Sequence, residues 1–176
     1  MPASPKCVAV DSSLLINFLN VDRIDLLRAL PGTAWFVTEH VRSELTDVDQ
    51  VRRYEEALAV KTLSEIRVDA VEELVTFGTL LGLRLGKGES ATIAVAMYRS
   101  WGAAMDDAVA IRKAKEHHPT LYVLKTQDIV RSAIMSELLS VLEADDMKRA
   151  WEERFRFRLQ FDSFADILPP EGPRHE

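Results

Sequence analysis

At 176 residues, with 47% hydrophobic and 28% charged side chains, the chain has the size of one globular domain with a substantial core. Its net charge of −6 provides no basic excess, which argues against tight nonspecific binding to nucleic acid. The single cysteine, Cys7, excludes an intrachain disulfide and a metal site built from cysteines.

Short apolar runs alternate with helical patterns in the first part of the chain. The run CVAV predicts a strand that stops at Asp11, and SSLLINFL after it has the apolar spacing of a helix. A second amphipathic helix is predicted over residues 21–32, where Pro31 and Gly32 end it. AWFVT then predicts a buried strand and EHVRSELT another helix.

The same alternation continues to the second half of the chain. Residues 51–85 are mostly helical in pattern, with a short strand or loop in KTLSEIRVD. A helix rich in small residues follows over GESATIAVAMYRSWG, then a strand at AAM, a helix at AVAIRKAKEHH and a strand at TLYVLK. Because parallel strands need crossover connections, this order predicts an α/β fold with a mostly parallel central sheet and helices on both faces.

Acidic residues stand where these elements begin and end. Asp11 follows the first strand, Asp106 and Asp107 follow the AAM strand, and Glu89 opens a helix after Gly-Lys-Gly. Glu44 comes shortly after the AWFVT strand. Ligands of open parallel sheets bind outside the carboxyl ends of the strands, so we expect these carboxylates to converge there.

Each acid also has a simpler explanation when it is taken alone. Asp11 and the Asp106–Asp107 pair could cap the helices that follow them, and Glu89 is favoured electrostatically near a helix start. Glu44, close to Arg42, could be a solvated surface charge. The argument for a site therefore depends on the joint placement of the acids.

Carboxylates that crowd into one crevice repel each other unless a divalent cation neutralises them. An all-oxygen ligand set without cysteine or a suitably spaced histidine pair selects Mg²⁺ or Mn²⁺ over Zn²⁺. Such an ion would activate a water molecule and stabilise charge on a phosphate.

The four segments VAVDSSLLINFL, FVTEHVRSEL, GKGESATIAVA and AAMDDAVAIRKA together resemble the ordered motifs of PIN-domain nucleases, the fold of VapC-type toxins. The resemblance covers roughly residues 6–140. It implies a three-layer αβα PIN-like fold and metal-dependent hydrolysis of RNA. Two motifs depart from the family pattern: the third acid is a glutamate after GKG where an aspartate deeper in the helix is usual, and the fourth motif reads Met-Asp-Asp where Thr-x-Asp is common.

Carried over by position, the resemblance implies catalytic and metal-binding roles for Asp11, Glu44, Glu89 and Asp107, with Asp106 as a possible ligand. It implies a supporting role for Ser12, which would orient a carboxylate or a water. Arg112, one turn after Asp107, either pairs with an acidic neighbour or meets the RNA backbone. The implied cofactor is Mg²⁺ or Mn²⁺, and the implied partners are an RNA substrate, a small antitoxin protein and a second copy of the chain in a homodimer.

The domain organisation that we predict has three parts: a PIN-like nuclease domain over residues 1–140, a C-terminal helix and strand extension over 141–168, and a disordered tail over 169–176. The extension contains RFRFRLQF, whose period-two alternation fits a half-buried edge strand or an extended tail. Its apolar residues would pack on the core, or its arginines would form a basic strip facing RNA.

Two other functional classes remain open from the sequence. A phosphatase of the haloacid dehalogenase type also begins with an aspartate after the first strand, but it needs a second acid two residues later, where this chain has Ser13. A catalytically silent PIN-like module that binds RNA or protein would use the carboxylates for structure alone.

Membrane insertion is not expected, because no run approaches the roughly 18 unbroken apolar residues that span a bilayer. The first residues, MPASPK, lack the apolar segment of a secretory signal. We therefore expect a cytoplasmic protein.

Overall fold

A computed structural model describes residues 6–169 of the chain. Fifteen helices and strands follow one another in this range. They are β1 (Cys7–Val10), α1 (Ser12–Asn20), a 3-10 helix (Ile24–Ala29), β2 (Ala34–Thr38), α2 (Glu39–Glu44), α3 (Val48–Ala59), β3 (Ser64–Ile66), α4 (Val71–Gly82), α5 (Lys87–Tyr98), β4 (Gly102–Ala104), α6 (Ala108–His117), β5 (Val123–Leu124), α7 (Thr126–Met135), α8 (Val141–Arg154) and a second 3-10 helix (Phe164–Ile167).

The five strands form one parallel sheet in the order β3-β2-β1-β4-β5. Successive strands are added on one side of β1 as far as β3, and the chain then crosses to the other side to place β4 beside β1. Helices cover both faces, which confirms the predicted three-layer α/β architecture. The change of direction between β1 and β4 creates a crevice at their carboxyl ends, where open sheets of this kind bind ligands.

The two faces of β1 contact different parts of the core, as the two-residue period of a strand requires. Val8 and Val10 point into the larger apolar cluster, which includes residues of α1, α3, α7 and α8. Ala9 points to the opposite face, against Ala91 and Val95 of α5. A residue this small lets α5 lie close to the sheet, and α5 carries Glu89 at its start.

The C-terminal extension shares this core. Ala144, Met147 and Trp151 of α8 belong to the same apolar cluster as β1. The boundary that we predicted at residue 140 therefore runs through a continuous apolar core. The division of the chain into a nuclease domain and a C-terminal extension remains a prediction. The predicted disordered tail lies, apart from Pro169, outside the described residues.

The edge strand predicted for RFRFRLQF does not form within residues 6–169. The segment is irregular, and Arg156 has a left-handed backbone with φ of 56°, which breaks the extended geometry that a strand needs. Phe157 and Leu159 still pack against the core, as expected for the apolar half of the pattern, whereas Arg156 and Arg158 are exposed.

One further expectation needs correction. The segment predicted as an amphipathic α-helix over residues 21–32 is a short 3-10 helix, Ile24–Ala29. In the turn between α4 and α5, the positive φ of 62° belongs to Arg84, and Gly86 is the extended N-cap residue of α5. Gly88, in the first turn of α5, lies against the side chain of Glu44.

Candidate active site

The carboxyl ends of β1 and β4 bring acidic side chains from several elements into one region. Asp11 extends the pairing of these strands by donating its backbone N–H to the carbonyl of Ala104 at 2.9 Å. It is also the N-cap residue of α1, so the predicted capping role is confirmed. Its side chain is 1% exposed.

The two oxygens of the Asp11 carboxylate have different surroundings. Oδ2 accepts hydrogen bonds from the hydroxyl of Ser13 at 2.6 Å and from its backbone N–H at 3.2 Å. Oδ1 is buried and has no hydrogen-bond partner among residues 6–169. Burial raises the pKa of Asp11 to about 6, against the lowering effect of the Ser13 hydrogen bonds, and the negative charge of Glu89 raises it further. Glu89 is therefore close enough to Asp11 to affect its ionisation.

Glu44, at the end of α2, connects two other parts of the site. Its Oε2 accepts a hydrogen bond from the Ser12 hydroxyl, and its Oε1 accepts one from the backbone N–H of Gly88 at 2.8 Å. A Cβ on residue 88 would lie 2.7 Å from Oε2 and 2.8 Å from Oε1 of Glu44, closer than real Cβ contacts allow. Gly88 thus permits the start of α5 to approach Glu44.

Glu89 occupies the third position of α5, where Oε2 accepts a hydrogen bond from the N–H of Gly86 at 2.9 Å. This is one half of a capping box, so the expected placement of Glu89 in the first turn of a new helix is confirmed. Ser90, the next residue, has a buried hydroxyl without a partner in the described part of the chain.

The adjacent acids after β4 point to different surroundings. Asp107 is exposed and caps α6 through a hydrogen bond from the N–H of Ala110 to Oδ1 at 2.7 Å. Asp106 is partly buried, and burial raises its pKa while hydrogen bonds from Thr126 and Asn17 oppose the rise. Thr126 donates to Asp106 through its N–H at 2.9 Å and its hydroxyl at 2.6 Å, and Asn17 Nδ2 donates at 3.2 Å.

Four residues of this region were not predicted from the sequence: Ser13, Asn17, Gly88 and Thr126. Asn17 is a polar residue within the apolar pattern LLINFL and is 6% exposed, which was a usable signal. Thr126 comes two residues after the end of β5, at the same edge of the sheet as Asp11, so its position near a strand end was a second signal. Gly88 could not be recognised without the position of Glu44.

The remaining predicted residue, Arg112, lies outside these contacts. It forms an ion pair with Glu116, one turn further along α6, in which Nε and Oε1 are 3.8 Å apart and its side chain is 69% exposed. Ion pairs this exposed contribute little to stability.

The candidate site has two parts, which meet where Ser12 follows Asp11 in the chain. In one part, hydrogen bonds of Glu44 to Ser12 and Gly88 join α1, α2 and α5. In the other part, the charge of Glu89 contributes to the raised pKa of Asp11. In residues 6–169 as they stand, no three His, Cys, Asp or Glu side chains are grouped to hold a metal ion. Each of these carboxylates accepts a hydrogen bond from an N–H or O–H donor, and Asp11 Oδ1 is a buried carboxylate oxygen that has no partner in the described part of the chain.

Comparison with known proteins identifies the family. The DUF3368 family model, described as a PIN domain, matches residues 7–150. This chain belongs to the PIN domain family. No curated protein is similar enough in sequence to be recognised as a relative.

Among solved structures, this PIN-domain chain is similar to one in a crystal structure of VapBC2 from Rickettsia felis bound to a DNA fragment from their promoter. The two chains are 12% identical, and the match covers 68% of this chain and 98% of the other with a TM-score of 0.47. Within the described residues, none of the helices has the length and hydrophobicity to span a membrane.

Proposed function

We propose that this PIN-domain protein is a metal-dependent endoribonuclease that hydrolyses RNA phosphodiester bonds, and that it is the toxin component of a toxin-antitoxin pair. The observation that carries the proposal is the Asp11 carboxylate: it is buried at the switch point of the sheet, lies near Glu89, and has one oxygen without a partner among residues 6–169. A buried carboxylate of this kind is costly unless a cation or donor compensates it.

The chemical type of the donors, carboxylate oxygens only, fits the proposed cofactor, and binding would have to draw together side chains that are not grouped around an ion in residues 6–169. Asp11, Glu44, Glu89 and Asp107 would hold Mg²⁺ or Mn²⁺, with Asp106 as a further possible ligand, because hard divalent cations prefer carboxylate oxygens. When bound, such an ion supplies positive charge to the phosphate and lowers the pKa of water.

The residues around the acids have supporting roles in this proposal. Ser13 holds Oδ2 of Asp11 and leaves Oδ1 directed away from the cap, and Ser12 orients Glu44. Arg112 is available to an RNA phosphate, since its exposed pair with Glu116 costs little to break.

The proposed partners follow from the motif resemblance of the sequence. They are an RNA substrate, a small antitoxin that places a basic side chain among the acids, and a second copy of this chain in a homodimer. We also propose a cytoplasmic location, where a ribonuclease would meet its RNA substrate.

The proposal is tested by incubating the purified protein with a mixed RNA population in Mg²⁺ or Mn²⁺, and in a chelator. We expect cleavage that requires the metal and that Asp11→Asn abolishes while its circular dichroism spectrum is unchanged. Cleavage by folded Asp11→Asn at the wild-type rate would refute the nuclease assignment. Absence of metal-dependent cleavage by the wild-type protein, together with RNA binding, would favour the silent binding module.

A further inference from the structure

The helix that carries the centre of the candidate site is short and depends on distant residues at its C-terminal end. α1 has nine residues, with Asp11 at its N-cap and Ser12 in its first turn, and it has no basic residue in its last turn. The last carbonyls of a helix need donors from outside the helix. The backbone N–H groups of Asp22 and Arg23 satisfy those of Leu19 and Phe18. Distant elements supply the other two: Arg53 of α3 donates to the carbonyl of Asn20 at 3.3 Å, and Trp151 of α8 donates to that of Asn17.

The Trp151 contact is the more buried of the two. Its indole Nε1 donates to the Asn17 carbonyl oxygen at 2.7 Å, and its side chain is fully buried. The ring also packs edge-on against Phe18, with centroids 6.1 Å apart, and against Phe157, with centroids 5.6 Å apart. The hydrogen bond and the aromatic contacts together fix α8 against one side of α1.

Asn17 contacts both Trp151 and an acidic residue of the site. While its backbone carbonyl accepts from Trp151, its side-chain amide donates to Asp106 at 3.2 Å. Asp106 stands at the carboxyl end of β4, the strand that pairs with β1. A line of direct contacts therefore runs from α8 through α1 to the acidic edge of the sheet.

We infer that Trp151 is a positioning residue of the site: through Asn17 it sets the placement of α1 and the orientation of Asp106. Trp151 lies one residue past the segment that matches the family model, in the last part of α8, most of which the match includes. The catalytic part of the inference rests on the proposed ribonuclease activity, whereas the structural part does not.

The chain offers a matched control for testing this role. Trp35 is also buried, and its indole Nε1 donates to a backbone carbonyl, that of Leu27, at 2.9 Å. Trp151→Phe and Trp35→Phe each remove one such hydrogen bond and keep an aromatic ring. We expect Trp151→Phe to lower kcat for RNA cleavage about tenfold with KM unchanged, since small displacements of catalytic groups are costly. Trp35→Phe should keep the wild-type kcat at a temperature at which both variants are fully folded.

A double-mutant cycle tests the route through Asn17. Asn17→Leu removes the amide donor to Asp106 and leaves the backbone carbonyl that Trp151 contacts. If Trp151 acts through Asn17, the double variant Trp151→Phe/Asn17→Leu should lose no more activity than the more damaged single variant. Losses that multiply would overturn this route.

Hydrogen exchange provides a readout that needs no activity. Relative to the amides of α5, those of α1 should lose about tenfold protection in Trp151→Phe and none in Trp35→Phe. Equal effects of the two variants on α1 would overturn the inference. If α1 responds as expected but the wild-type protein cleaves no RNA, the proposed function fails and the structural part of the inference stands. If the wild-type protein cleaves RNA and Trp151→Phe keeps its kcat, the positioning role alone is refuted.

Discussion

Replacing Asp11 by asparagine should stabilise the metal-free protein at neutral pH, even though it removes the central acid of the site. Burial raises the pKa of Asp11 to about 6. In the unfolded chain the pKa of an aspartate is about 3.9. The folded state therefore disfavours the ionised carboxylate, and asparagine, which has a similar shape, does not ionise.

The size and pH range of the effect follow from these two values. A difference of about two pH units corresponds to about 3 kcal/mol of free energy of unfolding. The Ser13 donors can still bind the amide oxygen of asparagine, and their preference for a charged acceptor is already contained in the pKa of about 6. About 1 kcal/mol is lost because the amide nitrogen takes the place of the buried Oδ1, which has no partner among residues 6–169. The net stabilisation at pH 7.5 is then about 2 kcal/mol, or about 4–8 °C in Tm for a chain of this size.

The sign of the pH dependence is opposite to that of a salt-bridged aspartate. Between about pH 4 and pH 6 the folded state of the wild-type protein binds more protons at Asp11 than the unfolded state does. Its stability therefore falls as the pH rises through this window, and the cost is fully present above pH 6. The difference between Asp11→Asn and the wild-type protein should largely disappear near pH 4.

Urea unfolding in the presence of a chelator at pH 4 and pH 7.5 measures the stabilisation by Asp11→Asn and its pH dependence. Asp107→Asn is the control, because Asp107 is exposed and asparagine caps a helix as well as aspartate does. Its stability should stay within about 0.5 kcal/mol of wild type at both pH values. A destabilised Asp11→Asn at pH 7.5, or a stabilisation that is equal at pH 4, would refute the argument from burial.

Two further predictions concern the same region. Gly88→Ala should displace the Glu44 carboxylate, since the added Cβ would lie 2.7 Å from it, and should destabilise the fold by about 1 kcal/mol in urea unfolding, because the flexible Glu44 side chain can move aside but loses its hydrogen bonds to Ser12 and residue 88. Gly86→Ala is the matched control, because its Cβ would meet Glu89 at an ordinary 3.5 Å, and equal losses in both variants would contradict a specific role for Gly88. Millimolar Mg²⁺ or Mn²⁺ should raise the Tm of the wild-type protein but not that of Asp11→Asn, because an ion that binds only the folded state stabilises it by mass action. A thermal melt of the wild-type protein that the metals do not shift would argue against a cation site.

The sequence was sufficient to predict much of the fold, and it indicated the carboxyl edge of the sheet as the place of the candidate site. Apolar runs such as CVAV and AWFVT are short, bounded by polar residues and rich in β-branched side chains or aromatics, so β1 and β2 could be recognised. The placement of β4 beside β1 could also be expected. The acids that follow these two strands can form one site only if the carboxyl ends of the strands lie close together. β3 was left between strand and loop, since three residues provide little periodicity.

The parts that could not be predicted depend on contacts between distant residues. Asp106 and Asp107 are adjacent in sequence, and only the positions of Thr126 and Asn17 determine that Asp106 turns inward. The contact between Trp151 and Asn17 joins residues 134 positions apart, so no local pattern reveals it.

Calorimetric titration of Mn²⁺ into the chelator-treated protein at pH 6 and pH 8, in buffers of different ionisation enthalpy, tests whether Asp11 is the centre of a divalent-cation site. We expect binding by the wild-type protein that releases about half a proton at pH 6 and almost none at pH 8, because a ligand with a pKa of about 6 must lose its proton to bind a cation. Asp11→Asn should bind Mn²⁺ at least about tenfold more weakly, without this proton release. Equal Mn²⁺ binding by Asp11→Asn and the wild-type protein, or no binding by either, would contradict the claim that Asp11 is the centre of a divalent-cation site.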